Sequence, residues 1–308
     1  MPDVVYSVAF SPFHWIDSLI AVGMRCRITI LSCKITDDDS GEENANFDIL
    51  RDFNHGCRVQ AIAWSPQTTL TLIPKSIKFA TAGGDRKIRV FSSDLKNDDT
   101  VQHVEGHSDY INDLAFDPQT GEQLASVSDD HTCCVWSPEG NLVARLFLTS
   151  PGMSVRWHTE EVYKLLVAEK KGVIRFYNIG TQQPVMSLEC TNRPLLSADW
   201  SPANSLRVGC VAGSDWFLWD TSISSQPLEQ RTAHIERGVT FSFAHSHREL
   251  FATRGLPENQ IKVSNRNLAQ TILSATLNEG SGLSWHCRLP LLAAGGDREV
   301  VLWKIETT

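Results

Sequence analysis

The chain has 308 residues, 42% of them hydrophobic and 21% charged, so it can bury a large core and is neither disordered nor fibrous. Its 28 Lys and Arg against 36 Asp and Glu leave a net charge of −8. That is a poor match for a phosphate backbone and argues against nucleic acid as a direct partner.

The chain opens Met1-Pro2-Asp3-Val4-Val5, without the basic and apolar regions of a signal peptide. No stretch approaches 18 uninterrupted apolar residues, so no membrane insertion is expected. The eight cysteines, Cys26, Cys33, Cys57, Cys133, Cys134, Cys190, Cys210 and Cys287, are irregularly spaced and contain no C-x-x-C pair. They suggest neither a disulfide framework nor a zinc cage, and hence a reducing compartment, the cytosol or nucleus.

One pattern then recurs: an apolar alternating run ending in an aromatic residue, often followed by Ser-Pro. The anchors are Phe10, Trp64, Phe116, Trp157, Trp200, Phe243 and Trp285, spaced by 54, 52, 41, 43, 43 and 42 residues. The mean of about 46 lies near the length of a propeller blade. A second apolar pair follows most anchors. After Trp64 it is Lys78-Phe79-Ala80-Thr81, a Gly83-Gly84-Asp85-Arg86 turn and Ile88-Arg89-Val90-Phe91. After Phe116 it is Leu124-Ala125-Ser126, Asp129-Asp130 and Cys134-Val135-Trp136, and the fifth unit ends at Trp219-Asp220. The seventh repeats Gly-Gly-Asp-Arg at Gly295–Arg298, before Val300-Val301-Leu302-Trp303. Two β-rich runs around a tight Gly/Asp turn predict a hairpin. Seven such units predict an all-β, seven-bladed WD40-type propeller forming one domain over residues 1–308. The first and sixth units, with Ile28–Leu31 and Ile261–Ser264, lack the terminal Trp.

Two insertions interrupt the repeat. The acidic segment at residues 36–46, running through Asp37-Asp38-Asp39 and Glu42-Glu43, predicts a flexible solvated loop. Leu70-Thr71-Leu72-Ile73-Pro74 lengthens a connection in blade two, as a tolerated surface insertion or a partner-binding loop. A propeller ring is usually completed by an outer strand on the last blade. Only nine residues precede Phe10 and five follow Trp303, so blade seven is expected to lack its outer strand, or the chain to be an N-terminally shortened form. The edge at Val300-Val301-Leu302 would then be a pairing liability.

His107, Ser126, Asp130 and Trp136 have the residue types of a catalytic triad. In a WD-type blade the same positions form a structural hydrogen-bond relay, because a buried carboxylate and indole both need partners. His245-Ser246-His247 could place two imidazoles on one face of a strand. No third ligand is suitably spaced, so a plain loop is favoured and no metal is expected. Cys133 and Cys134 point to opposite faces of a strand. No phosphate loop or dinucleotide fingerprint occurs, and no cofactor is expected. Phe13, Trp15 and Ile16 stand where other blades carry polar turn residues. They are candidate partner-interface residues, or else they pack over the end of blade one.

Several segments together resemble more than a generic WD repeat, and two of them, Ser150–Val155 and Val167–Lys170, are not generic propeller motifs. The full set is His107-Ser108-Asp109-Tyr110-Ile111-Asn112, Ala125–Cys133, Ser150-Pro151-Gly152-Met153-Ser154-Val155, Val167-Ala168-Glu169-Lys170, Val211–Trp216 and Gly280–His286. From about Val5 to the end, the chain resembles the small WD-repeat nucleoporins. The resemblance implies a non-catalytic scaffold subunit of the Y-shaped outer-ring complex of the nuclear pore. It implies attachment to the large α-solenoid stalk nucleoporin, indirect support of RNA and protein transport, and a kinetochore location in dividing animal cells. The rival readings are another propeller adaptor, such as a ubiquitin-ligase substrate receptor or histone-peptide-binding module, and an enzyme. The enzyme would need metal ligands or an isolated carboxylate pair in the central channel.

Overall fold

The computed structural model describes residues 1–37, 43–268 and 270–306. Among them, seven antiparallel sheets follow one another along the chain. Blade one is β1 (Ser7–Phe10), β2 (Leu19–Gly23), β3 (Arg27–Asp37) and β4 (Glu43–Asn54); blade two is β5 (Val59–Trp64), β6 (Ile77–Gly83), β7 (Ile88–Ser93) and β8 (Thr100–Val104). Blade three is β9 (Ile111–Phe116), β10 (Leu124–Ser128), β11 (Thr132–Trp136) and β12 (Leu142–Phe147). Blade four is β13 (Gly152–Trp157), β14 (Lys164–Glu169), β15 (Val173–Asn178) and β16 (Gln183–Glu189). Blade five is β17 (Leu195–Ser201), β18 (Asn204–Ala212), β19 (Asp215–Asp220) and β20 (Glu229–Thr232). Blade six is β21 (Arg237–Phe243), β22 (Leu250–Leu256), β23 (Gln260–Asn265) and β24 (Thr271–Thr276). Blade seven has three strands, β25 (Leu283–Trp285), β26 (Leu291–Gly295) and β27 (Val300–Lys304). The fold is the seven-bladed propeller that the anchors predicted, and the last blade lacks a fourth strand, as expected.

Sequence patterning follows from position in the blade. The middle strands β2, β10, β11 and β26 are buried at every residue, because neighbouring blades cover both faces. They therefore read as unbroken apolar runs. Outer strand β12 alternates instead, burying Ala144 and Leu146 and exposing Leu142, Val143 and Phe147. The anchors close each innermost strand and pack between blades. Both Gly-Gly-Asp-Arg segments form the tight turn between second and third strands, where the amide of Gly83 donates to the carbonyl of Lys87 and that of Gly296 to the carbonyl of Glu299.

Each innermost strand touches the next, and β25 touches β1. The ring therefore closes without a fourth strand on blade seven. The segment before β1 crosses the inner end of the seam, where the amide of Val5 donates to the carbonyl of Asp297 at 2.9 Å and that of Ser281 to the carbonyl of Val5 at 3.1 Å. Val5, Val8, Phe10, Ile20, Val22, Leu31 and Cys33 then form one cluster with Ala293, Val300 and Leu302 of blade seven.

Around the acidic insert, β3 and β4 pair as far as Thr36 opposite Asn44 and Asp37 opposite Glu43. The edges of the predicted loop are thus part of a ladder. The rest of the acidic run, residues 38–42, lies outside the described residues. The second insertion forms a narrow finger pinned by an isolated bridge between Thr69 and Ser76, with Leu72 67% and Ile73 91% exposed.

Candidate functional site

In blade three the structure brings His107, Ser126, Asp130 and Trp136 together. His107 sits in the crossover from β8 to β9, Ser126 on β10, Asp130 in the turn and Trp136 at the end of β11. Trp136 Nε1 donates to Ser126 Oγ at 2.8 Å. Ser126 Oγ is 2.7 Å from His107 Nε2, and His107 Nδ1 is 2.9 Å from Asp130 Oδ2. A single tautomer satisfies every link: Nδ1–H donates to the carboxylate and Nε2 accepts the seryl proton. Asp130 also accepts from the Ser108 amide and from the amide and hydroxyl of Thr132. Burial pushes Asp130 upward, but these donors hold its carboxyl below the ordinary value. Burial pushes His107 down, against the pull of Asp130. Ser126 is fully buried and its hydroxyl is engaged on both sides. A nucleophile needs access to substrate, which this oxygen lacks.

The arrangement recurs in places where the sequence reading did not look. His55 Nε2 lies 3.0 Å from Thr81 Oγ1 in blade two, and His234 Nε2 lies 3.0 Å from Thr253 Oγ1 in blade six. Thr81, Ser126 and Thr253 are structurally equivalent. Each stands two residues beyond the second-strand residue that pairs with Phe91, Trp136 or Ser264 of the third strand, namely Phe79, Leu124 and Phe251. The other blades carry Val22, Val167, Cys210 and Ala294 there. A His preceding an innermost strand and a hydroxyl residue 19 to 26 positions later was the available signal.

A second set of polar contacts stitches blades together. The indoles of Trp64, Trp157 and Trp285 donate to the carbonyls of Ala9, Ala115 and Ser242 on the preceding innermost strand. Across blades three to five, Arg156 on β13 bonds Asp113 on β9 and lies 3.6 Å from Asp199 on β17. Asp113 Oδ2 also accepts from the Val155 amide and Asp199 Oδ2 from the Phe243 amide, each at 3.1 Å. Burial pushes Asp199 up to about 6, although Arg156 pulls it down. These two carboxylates share a guanidinium, so they are not an isolated acid pair. After two of the anchors a histidine caps the following turn: His158 Nδ1 accepts from the amides of Glu160 and Glu161, and His286 Nδ1 from those of Arg288 and Leu289.

His245 is held at about 4, mainly by burial. Among the described residues, no group of three or more His, Cys, Asp or Glu could hold a metal ion, and no helix is long and apolar enough to cross a membrane.

The grouping of Phe13, Trp15 and Ile16 as one exposed anchor needs correction. Phe13 and Ile16 are 8% and 2% exposed and pack with Trp64, Ile77 and Phe79 in the seam between blades one and two. Their side chains are consumed by the core. Trp15 alone presents surface, at 50% exposure, stacked on Phe13 and donating its indole N–H to the carbonyl of Thr68 at 3.0 Å. Thr68 adjoins the base of the Leu72–Ile73 finger, so the hydrogen bond ties the indole to the finger's base.

A family profile described as WD domain, G-beta repeat matches residues 47–92 and 99–137. The first match runs from within outer strand β4 into the third strand of blade two, and the second from just before outer strand β8 to just past the third strand of blade three, the phase that interlocks neighbouring blades. Over 309 aligned residues the chain is 46% identical to Nucleoporin Nup37 of Mus musculus and 45% identical to Nucleoporin Nup37 of Homo sapiens, covering 99% of this chain and 95% of each relative. It is 34% identical over 307 residues to Nucleoporin Nup37 of Drosophila melanogaster, covering 98% of this chain and 93% of that protein.

Proposed function

Because the chain belongs to the Nup37 family of nucleoporins, we propose that it is a non-catalytic scaffold subunit of the outer-ring, Y-shaped complex of the nuclear pore. Its place is the nuclear envelope, with the kinetochore a second site in dividing cells. It binds the large α-solenoid stalk nucleoporin and supports RNA and protein transport by helping to build the pore. The near end-to-end identity with nucleoporins carries this reading. The geometry accords with it: the His–Ser–Asp constellation of blade three, which resembles catalytic machinery, is buried and internally satisfied.

We assign the partner contact to the exposed apolar side chains of Trp15, Leu72 and Ile73. A half-exposed aromatic held rigid by a stack and a hydrogen bond loses little freedom on binding. The relay residues His107, Ser126, Asp130 and Trp136 act structurally, holding the blade-three crossover to its hairpin.

Affinity purification from nuclear extract tests the reading. Recovery of the outer-ring nucleoporins as a stoichiometric set is expected, and Trp15→Ala combined with Ile73→Asp should reduce recovery of the stalk nucleoporin at least tenfold with the fold intact. Recovery of a ubiquitin-ligase scaffold or histone peptides in their place overturns it.

A further inference from the structure

Blade five departs from the histidine relay in a specific way. Its crossover position, occupied by His55, His107 and His234 in blades two, three and six, is Cys190. Its second-strand position, occupied there by Thr81, Ser126 and Thr253, is Cys210. The two Sγ atoms are 3.5 Å apart. Cys190 is 7% exposed and Cys210 fully buried. Trp219 on the third strand of this blade corresponds to Trp136 of blade three, but its Nε1 is buried without a hydrogen-bond partner. A seryl oxygen at position 210 would accept that N–H, as Ser126 does for Trp136. Blades one, four and seven dispense with the relay by placing Val22, Val167 and Ala294 at this position. Blade five instead sets two thiols against each other and leaves an indole unsatisfied.

We propose that Cys190 and Cys210 are a redox-active thiol pair that closes to a disulfide when a peroxide supplies the oxidising equivalents. The Cys190 sulfur attacks one peroxide oxygen, the O–O bond breaks, and the thiol proton passes to the leaving hydroxide, giving a sulfenic acid and one water. The Cys210 sulfur then attacks the Cys190 sulfur, an S–S bond forms, the S–O bond breaks, and the hydroxyl leaves as a second water with the Cys210 proton. Two thiols lose two electrons and two protons, and one peroxide becomes two waters. The sulfurs must approach by about 1.5 Å to reach bonding distance. Cys190 lies in the crossover between β16 and β17, a loop at the blade surface, and closure requires this loop to shift while its amide bonds the carbonyl of Gly172. The cross-link ties this crossover, which leads out of blade four, to the second strand of blade five, and closes a loop over the 20-residue separation of the cysteines. Such a loop restricts the unfolded chain.

The test uses the full chain. Reduced protein is treated with stoichiometric hydrogen peroxide, free thiols are alkylated, and digests are read by mass spectrometry without reduction. A Cys190–Cys210 linked peptide is expected as the main cross-link and should disappear on reduction. The thermal midpoint should rise by several degrees on oxidation. Cys190→His combined with Cys210→Ser, which introduces the imidazole and hydroxyl of the blade-three relay, should remove the oxidative shift. Oxidation of Cys26 alone, with Cys190 and Cys210 both alkylated as free thiols, overturns the proposal. So does an unchanged oxidative shift in the double variant. Should that variant fail to fold, the wild-type cross-link map decides.

Discussion

The indole of Trp136 and the imidazole of His107 meet on one oxygen, so Ser126 is the residue whose loss has the widest local effect. Ser126→Ala removes the acceptor of Trp136 Nε1 and the donor to His107 Nε2 together. Each orphaned buried polar group costs about 1–3 kcal/mol. We expect Ser126→Ala to lower the free energy of unfolding by about 2–4 kcal/mol, measured by urea titration, whereas Ser137→Ala, at an exposed pairing with Glu139, should change it by less than about 0.5 kcal/mol. Blade three's relay was legible in sequence because all four residues stand at repeat positions. The relays at His55 and His234 were missed, as were the stitches through Arg156. The partners of Arg156 are set by which blades become neighbours, and no spacing along the chain announces them, whereas the two missed relays were marked only by a His-to-hydroxyl spacing that varies from 19 to 26 residues.

Strand β27 is an edge on which six other blades have a partner. Ile305 donates inward to the carbonyl of Pro290, and alternation along the strand turns the backbone groups of Val300 and Leu302 to the open side. Their counterparts Cys133 and Val135 on β11 face β12. Hydrogen exchange should therefore find the amides of Val300 and Leu302 exchanging at least a hundredfold faster than those of Cys133 and Val135. Equal protection would mean that a further strand covers this edge. The three-stranded blade was legible because outer strands follow a fixed phase before each anchor. The extension of β3 and β4 to Asp37 and Glu43 was not, because an acidic, polar run carries no alternation to mark a ladder.

The whole ring couples its stability to pH through buried imidazoles. His55, His107, His158, His234, His245 and His286 are all pushed below their ordinary value, chiefly by burial, and His234 and His245 to about 4. The unfolded chain, with histidines near their ordinary value of roughly 6.5, then binds more protons than the folded chain. The stabilisation is full above about pH 6.5 and is lost progressively as pH falls toward about 4. His158 and His286 give this a structural basis, since their Nδ1 atoms cap turns only while unprotonated. Asp199, raised to about 6, acts oppositely, its contribution present below pH 3.8 and lost as pH rises through about 6. One such group does not offset six imidazoles. Urea midpoints should fall steadily between pH 7 and pH 4.5, and a flat profile would contradict this reading.

By itself the sequence determined the number of blades, the turns at Gly83–Arg86 and Gly295–Arg298, and the likeness to nucleoporins. All of these depend on residues close together in the chain or repeated at one phase. Only the tertiary structure decided that Phe13 and Ile16 belong to the core while Trp15 faces solvent, that Arg156 bridges Asp113 and Asp199, and that Cys190 meets Cys210. Those outcomes depend on how blades stack face to face and how crossovers fold back on hairpins. They are distances between segments, and linear order does not encode them.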